Sequence, residues 1–275
     1  MSSIKFNIIR APEILKKHVE CFRIIEYSGE EGLAIKVSPN GVPGIVFQHN
    51  SGQSAIENII TDSGLTFVPT LFLYGAGTQP SVMNYKKGSY TTTQVILKPH
   101  ALNTLLGINA SVLANGFAEL NEFSAENLNG QLVEANDKQK RIALLIDFLV
   151  AQLKQAKTKD TLVEESLRLI HRNIAAIDMK YLLDYLNISE RQFERRFSQT
   201  VGLSPQSYMR VKRFNEAIRL MKTGQYKTLT DVAHALNFYD QSHFIRDIKE
   251  FSGITPKSIL QKVEDFHEQS GFSYV

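Results

Sequence analysis

The stretch Asn237–Pro256, NFYDQSHFIRDIKEFSGITP, gathers Asp240, Gln241, Ser242, His243 and Arg246 within seven residues. Such side chains could do acid–base chemistry through the histidine. They could equally bond the edges of bases, where Arg and Gln offer paired contacts. The spacing separates these readings. Phe244, Ile248 and Phe251 recur at i, i+4 and i+7, the period of a helix with one buried face. At 100° per residue, Ser242, Ile245, Arg246 and Lys249 fall on the outward side, and Gln241 sits in the exposed first turn. His243 lies between core and surface, which favours a structural hydrogen bond over catalysis. Asp240 is placed to cap the helix.

A second stretch has the same plan. Leu182–Pro205, LLDYLNISERQFERRFSQTVGLSP, aligns with Val232–Pro256 at an offset of fifty that becomes fifty-one after one inserted residue. Phe193 then matches Phe244, Phe197 matches Ile248, Gly202 matches Gly253 and Pro205 matches Pro256. Two copies of one supersecondary unit are expected, each a short helix, a tight turn and a second helix. In the first copy Ser189 is the expected N-cap, with Gln192 completing a capping box. Phe193 and Phe197 face inward, and Arg191 and Arg195 lie opposite them with Glu194 alongside. Gly202 and Gly253 suit left-handed helix ends, and each Ser/Thr-Pro pair starts another helix. Between the copies, Met209, Phe214, Ala217 and Met221 trace the apolar face of one long helix, closed by Gly224. A short helix, a turn and a helix exposing Arg, Gln and Ser follow helix-turn-helix logic, and two such units could occupy successive major grooves.

Residues 160–262 resemble the DNA-binding domain of the AraC/XylS family of bacterial transcription regulators. The segment RVKRFNEAIRLM resembles the family's linker helix, and DVAHALNFYDQSHFIRDIKEFSGITPKSI is close to its signature. The resemblance implies that Arg191, Glu194 and Arg195 read bases from the first recognition helix, and Gln241, Ser242, Ile245 and Arg246 from the second. Arg196, Lys249 and Lys257 are candidate phosphate contacts, with a salt bridge equally open for Arg196. Arg213 could meet a phosphate or form a structural ion pair. Asn237 stands where the family usually has Gly, and Asn tolerates the left-handed conformation that this turn requires. Ile248 replaces a more usual Phe. Double-stranded DNA is the implied partner. RNA polymerase, a small-molecule effector and a second copy of the chain are further candidates, and activator is the role carried over.

The first hundred residues read differently. LAIKVSPNGVPGIVFQHNSGQSAIENII is strand, Pro-Asn-Gly turn, strand, turn, strand, and short apolar runs broken by Gly continue to Pro99. HALNTLLG is a short helix closed by Gly107. VSPNGVPGIVF and ILKPHALNTLLG are similar to motifs of sensor-like domains found ahead of such DNA-binding modules, and no ligand-binding residue is carried over. Ile142, Leu145, Leu149 and Leu153 form an amphipathic helix, expected to pack on its own domain with some role in pairing. The expected fold class is α+β: a β-rich small barrel or sandwich, then an all-α domain of two helix-turn-helix units joined by a long helix. The expected boundaries are 1–125 for the sensor or dimerisation domain, 126–159 for the amphipathic helix and linker, 160–265 for the DNA-binding domain, and 266–275 for a tail.

Totals narrow the remaining classes. The net charge is +3. Residues 160–263 hold 16 Lys and Arg against 12 Asp and Glu, a mild basic surplus compatible with nucleic acid. No apolar run is long enough to span a membrane, and the N-terminus lacks a signal-peptide core. Cys21 is the single cysteine, so an internal disulfide is excluded and a reduced, cytoplasmic setting is expected. It reads as a small buried residue rather than a redox sensor. His18, His49 and His100 are scattered, without metal-ligand spacing. YGAGTQP lacks the Lys-Ser/Thr of a phosphate loop and reads as a turn. No cofactor and no enzymatic activity are expected. A repair methyltransferase fused to the same module would need a reactive cysteine among zinc-type ligands, and Cys21 stands alone; salt-steep binding to duplex DNA would separate a regulator from a protein-interaction adaptor that uses the helical face.

Overall fold

The computed structural model describes residues 3–123, 127–156, 159–223, 226, 228–238, 240–262, 266–267 and 271–274. Strands β1 (Ser3–Arg10), β2 (Val19–Ser28), β4 (Gly44–His49), β7 (Leu71–Tyr74), β9 (Tyr90–Leu97) and β10 (Phe117–Glu119) form a first antiparallel sheet in the order β1-β2-β9-β4-β7-β10. Strands β3 (Leu33–Val37), β5 (Ile56–Thr61), β6 (Gly64–Thr66) and β8 (Ser81–Tyr85) form a second, in the order β3-β8-β5-β6. Two short strands, β11 (Phe266–His267) and β12 (Gly271–Tyr274), extend it, with β12 pairing on β3. The stretch read as a tail thus contains sheet-paired backbone. The β3–β4 turn, Pro39-Asn40-Gly41, crosses from one sheet to the other instead of closing a hairpin. Gly41 takes the left-handed φ of 69° that this crossing requires.

Side chains of the first sheet serve two cores, because successive residues point to opposite faces. Phe22, Ile24, Ile45, Phe47, Val95 and Leu97 pack with helices α1 (Ala101–Leu106) and α3 (Lys138–Gln155). The alternate residues, including Arg23, Tyr27, Val46 and Gln94, face the second sheet. Gly107 closes α1 in the left-handed conformation. Ile142, Leu145 and Leu149 of α3 are buried in the domain's own core, and helix α2 (Leu128–Glu134) packs beside α3.

The C-terminal half is helical: α4 (Thr161–Arg172), α5 (Met179–Leu186), α6 (Glu190–Val201), α7 (Pro205–Thr223), α8 (Leu229–Ala235), α9 (Gln241–Ser252) and α10 (Pro256–Lys262). Its two helix-turn-helix units have separate cores. Val163, Leu182, Phe193, Phe197 and Tyr208 centre the first, and Phe214, Val232, Phe244, Ile248 and Phe251 the second. At 1.5 Å per residue α7 is about 28 Å long and contributes to both. Gly224, the expected cap of α7, lies outside the described residues.

The halves touch at several points. Gly202, at the end of α6 with φ 94°, lies so close to a 3-10 turn at Ala110–Leu113 that a Cβ would stand 2.9 Å from the Ala110 carbonyl oxygen. Gly202→Ala is therefore expected to lower stability by about 1–2 kcal/mol from backbone strain alone, with the crowding added to it. Thermal melts against the parent check this.

Candidate nucleic-acid interface

The two recognition helices are α6 and α9, and local capping sets where each begins. Asp240 caps α9 by accepting from the His243 amide at 2.6 Å. Ser189 occupies the N-cap position of α6, but its side chain accepts no capping hydrogen bond, so the expected capping box is not formed. Each preceding turn passes through an asparagine in the left-handed region, Asn187 (φ 48°) and Asn237 (φ 55°). This is the conformation expected of Asn237.

Arg191 and Arg195 are exposed on α6, and Gln241, Ser242 and Arg246 are exposed on α9. Their helices present these side chains away from Phe193, Phe197, Phe244 and Ile248, all fully buried. Glu194 is half-buried beside the two arginines. Ile245 departs from its expected outward position: it is half-buried against the second core, because it follows Phe244 by only 100° around the helix. Lys249 and Lys257 are exposed.

Arg196 is engaged otherwise than as a phosphate contact. It donates from Nε and Nη2 to Asp160 at 2.8 and 2.7 Å, a bidentate pair joining α6 to the start of α4. Burial works to raise the Asp160 carboxyl, but hydrogen bonds from Arg196 and the Val163 amide outweigh it and hold the group below its usual range. Arg213 is structural, and among the described residues it is held by hydrogen bonds rather than by an ion pair. It donates to the carbonyl oxygens of Ile174 and Ile177 at 3.2 and 2.8 Å, which ties α7 to the α4–α5 connection.

At the other reader, Arg210 of α7 donates to Asp247 and Glu250 of α9, both at 2.8 Å, and stacks on Phe251. Asp247 is buried, and His243 stands 3.6 Å from its carboxylate. That places His243 in a structural contact rather than in an open cleft. Arg210 thus ties α7 to α9 of the second unit, and Arg213 ties it to the connection that leads into α5 of the first. Sequence reasoning missed the Arg210–Asp247 pair because its partners are 37 residues apart and no local period links them.

A cleft between the halves is lined by Lys17, His18, Lys98, His100, Lys159 and His171, among others. His171 Nε2 shares a 2.7 Å hydrogen bond with the buried Tyr208 hydroxyl. Desolvation, then the neighbouring His18 and lysines, push His100 down to about 4. Desolvation, then Lys212 and Lys98, lower His171 too, but that residue is exposed, so solvent screens its share and His100 carries most of the effect. An unfolded imidazole titrates near 6.5, so between pH 6.5 and about 4 the unfolded chain binds more protons. The contribution of these groups is therefore full above pH 6.5, falls as pH drops through that window, and is flat below it. Melts from about pH 7 to about pH 5 are expected to show the fall, reduced in the His100→Asn/His171→Asn double variant.

Cys21 is buried, and burial pushes its thiol up, opposite to an activated nucleophile. Among the described residues no cluster of His, Cys, Asp and Glu could hold a metal ion, and no helix is long and apolar enough to cross a membrane.

Comparison with known proteins agrees with this geometry. Residues 182–262 match a helix-turn-helix domain model, and residues 7–119 match a domain of unknown function, DUF6597. The C-terminal half thus contains a helix-turn-helix domain. The chain is 31% identical over 105 residues to the HTH-type transcriptional regulator GbdR of Pseudomonas aeruginosa, covering 38% of this chain and 28% of that protein. It is 31% identical over 78 residues to the HTH-type transcriptional activator RhaS of Pectobacterium atrosepticum, covering 28% of each. These matches span less than a third of either relative. The structure of ToxT from Vibrio cholerae superposes with a TM-score of 0.50 at 15% identity, over 87% of this chain and 97% of that one, a likeness of fold.

Proposed function

We propose that the protein is a sequence-specific DNA-binding transcription regulator that reads two successive major grooves, with activity modulated through its β-rich N-terminal domain. The observation that carries this reading is the pair of recognition helices, each with an exposed polar face and a fully buried apolar one, in two units whose cores share the helix α7. Arg191, Arg195, Gln241, Ser242 and Arg246 supply base contacts, with Glu194 and the half-buried Ile245 at the edges of the same faces. Lys249 and Lys257 supply phosphate contacts, which give affinity without specificity. RNA polymerase, a second copy of the chain and a cytoplasmic setting belong to the same reading.

Selection of bound duplexes from random DNA by the full-length protein, at two salt concentrations, tests it. Enrichment of two half-sites about 10 base pairs apart, with affinity falling steeply as salt rises, is the expected result. No enriched motif at either salt concentration would leave the helical faces to a protein partner.

A further inference from the structure

Among the described residues Asp247 is the one buried carboxylate, 2% exposed, and it belongs to a recognition helix. The helical period gives its place. At 100° per residue, Phe244, Ile248 and Phe251 define the buried face of α9, and Ser242 and Arg246 the opposite one. His243, Asp247 and Glu250, at i, i+4 and i+7, form a stripe along one flank between the two. Arg210 of α7 grips that stripe. Its Nη2 donates to both carboxylates, and its guanidinium carbon lies 5.1 Å from the centre of the Phe251 ring. His243 extends the network to the turn before α9, where it meets Phe238 edge-on at 5.7 Å.

The first unit holds the counterpart. The offset of fifty carries α5 onto α8 and Asp160 onto Arg210, and the offset of fifty-one after the inserted residue carries Arg196 onto Asp247. Asp160 and Arg196 are themselves a bidentate pair, at 2.8 and 2.7 Å. The same two positions of the repeat are therefore joined in both units, with the charges exchanged. Each recognition helix is tied at one position to the helix that opens its unit, α6 to the start of α4 and α9 to α7. The exchange also sets each pair against the wrong neighbour. Placing α9 on α4 would oppose Asp247 to Asp160, and placing α6 on α7 would oppose Arg196 to Arg210.

Stability alone does not account for a pair of this kind. Taking a carboxylate out of water is costly, and apolar side chains of similar volume often hold a fold as well or better. What the pair adds is direction. Contacts among Phe244, Ile248 and Phe251 are non-directional and tolerate a turn of α9 about its axis. With side chains a helix is about 10–12 Å across, so a turn of ~30° moves a side-chain tip by about 3 Å, a full hydrogen-bond length. Arg210, held between Asp247, Glu250 and the Phe251 ring, does not allow that turn.

We infer that Arg210 and Asp247 are positioning residues, which fix the rotation of α9 on α7 and with it the discrimination of the second half-site. The Asp160–Arg196 pair is the same device in the first unit. The effect on DNA rests on the DNA-binding reading above; the fixing of α9 stands without it.

The test is the Arg210→Met/Asp247→Leu variant of the full chain, which replaces the pair by apolar side chains. Its melting temperature is expected to equal or exceed that of the parent. Amide hydrogen exchange in α9 is expected to be at least about fivefold faster than in the parent, with α6 unchanged. A base change in the second half-site that costs the parent about 5- to 150-fold in affinity is expected to cost the variant under about threefold, while changes in the first half-site keep their full cost. Arg210→Lys keeps the charge but not the planar fork and is expected to relax the same half-site in part, so it decides the matter if the double variant melts low. Parent-like discrimination of the second half-site by a folded variant, or parent-like exchange in α9, overturns the inference. Failure of the parent to bind any duplex would instead strike the DNA-binding reading, and the exchange comparison would still decide whether the pair fixes α9.

Discussion

Arg195→Ala and Arg246→Ala are each expected to weaken binding to the selected duplex by about 1–3 kcal/mol, or about 5- to 150-fold. Both side chains are exposed, and among the described residues neither forms an ion pair or a hydrogen bond within the protein. Removing either therefore leaves the fold untouched, and the loss reports on DNA alone. The loss should be concentrated at one base position, where discrimination relaxes, whereas Lys249→Ala should weaken all sequences alike and flatten the salt dependence. Because α6 and α9 have separate cores, the two arginine effects should add in the double variant. Arg196→Ala provides the contrast: it breaks the pair with Asp160 and should cost stability, by about 1 kcal/mol at this half-buried site. Anisotropy titrations at two salt concentrations measure all of these. Parent-like binding by both Arg195→Ala and Arg246→Ala would remove the base-reading assignment of these faces.

The helical half was legible because its information is local. The fifty-residue repeat, the Phe193/Phe197 and Phe244/Ile248/Phe251 periods, and the left-handed Asn237 are all properties of a few neighbouring residues, and the helices follow them. Where a distant partner decides, the sequence was silent. Arg196 could be weighed between phosphate and salt bridge but not resolved, because Asp160 meets it from 36 residues away. Ser189 has the right type for a capping box, yet its hydroxyl makes no capping bond, so residue type alone overstated the local structure. In the β-rich half, strands β3, β4 and β5 were readable from alternation and turns. Their division between two sheets was not, since a Pro-Asn-Gly turn fits a crossing as well as a hairpin. The buried Arg23 did leave a trace. In VECFRIIEYS the period-2 face runs Cys21, Arg23, Ile25, Tyr27, and a charge inside such a face is out of place in a strand buried on both sides.

Phe244→Ala is expected to have the largest effect on the fold, about 3–5 kcal/mol for truncating a fully buried aromatic side chain. Phe244 is 0% exposed, meets Phe238 edge-on at 5.2 Å, and packs in the core that joins α7, α8 and α9. A domain stable by some 5–15 kcal/mol cannot absorb that evenly. The first unit keeps its own cluster around Phe193 and Phe197, reinforced by Ala76 from the β-rich half, so the damage should be confined to the second reader. The consequence for DNA is specific. The parent should lose affinity when either half-site of the selected duplex is scrambled. Phe244→Ala should bind weakly and respond only to the half-site that α6 reads. Denaturant unfolding gives the stability loss, and titration of the two scrambled duplexes gives the pattern. A variant that still discriminates both half-sites would mean that α9 does not need its core to read DNA, and the rigid two-reader arrangement built on α7 would have to be given up.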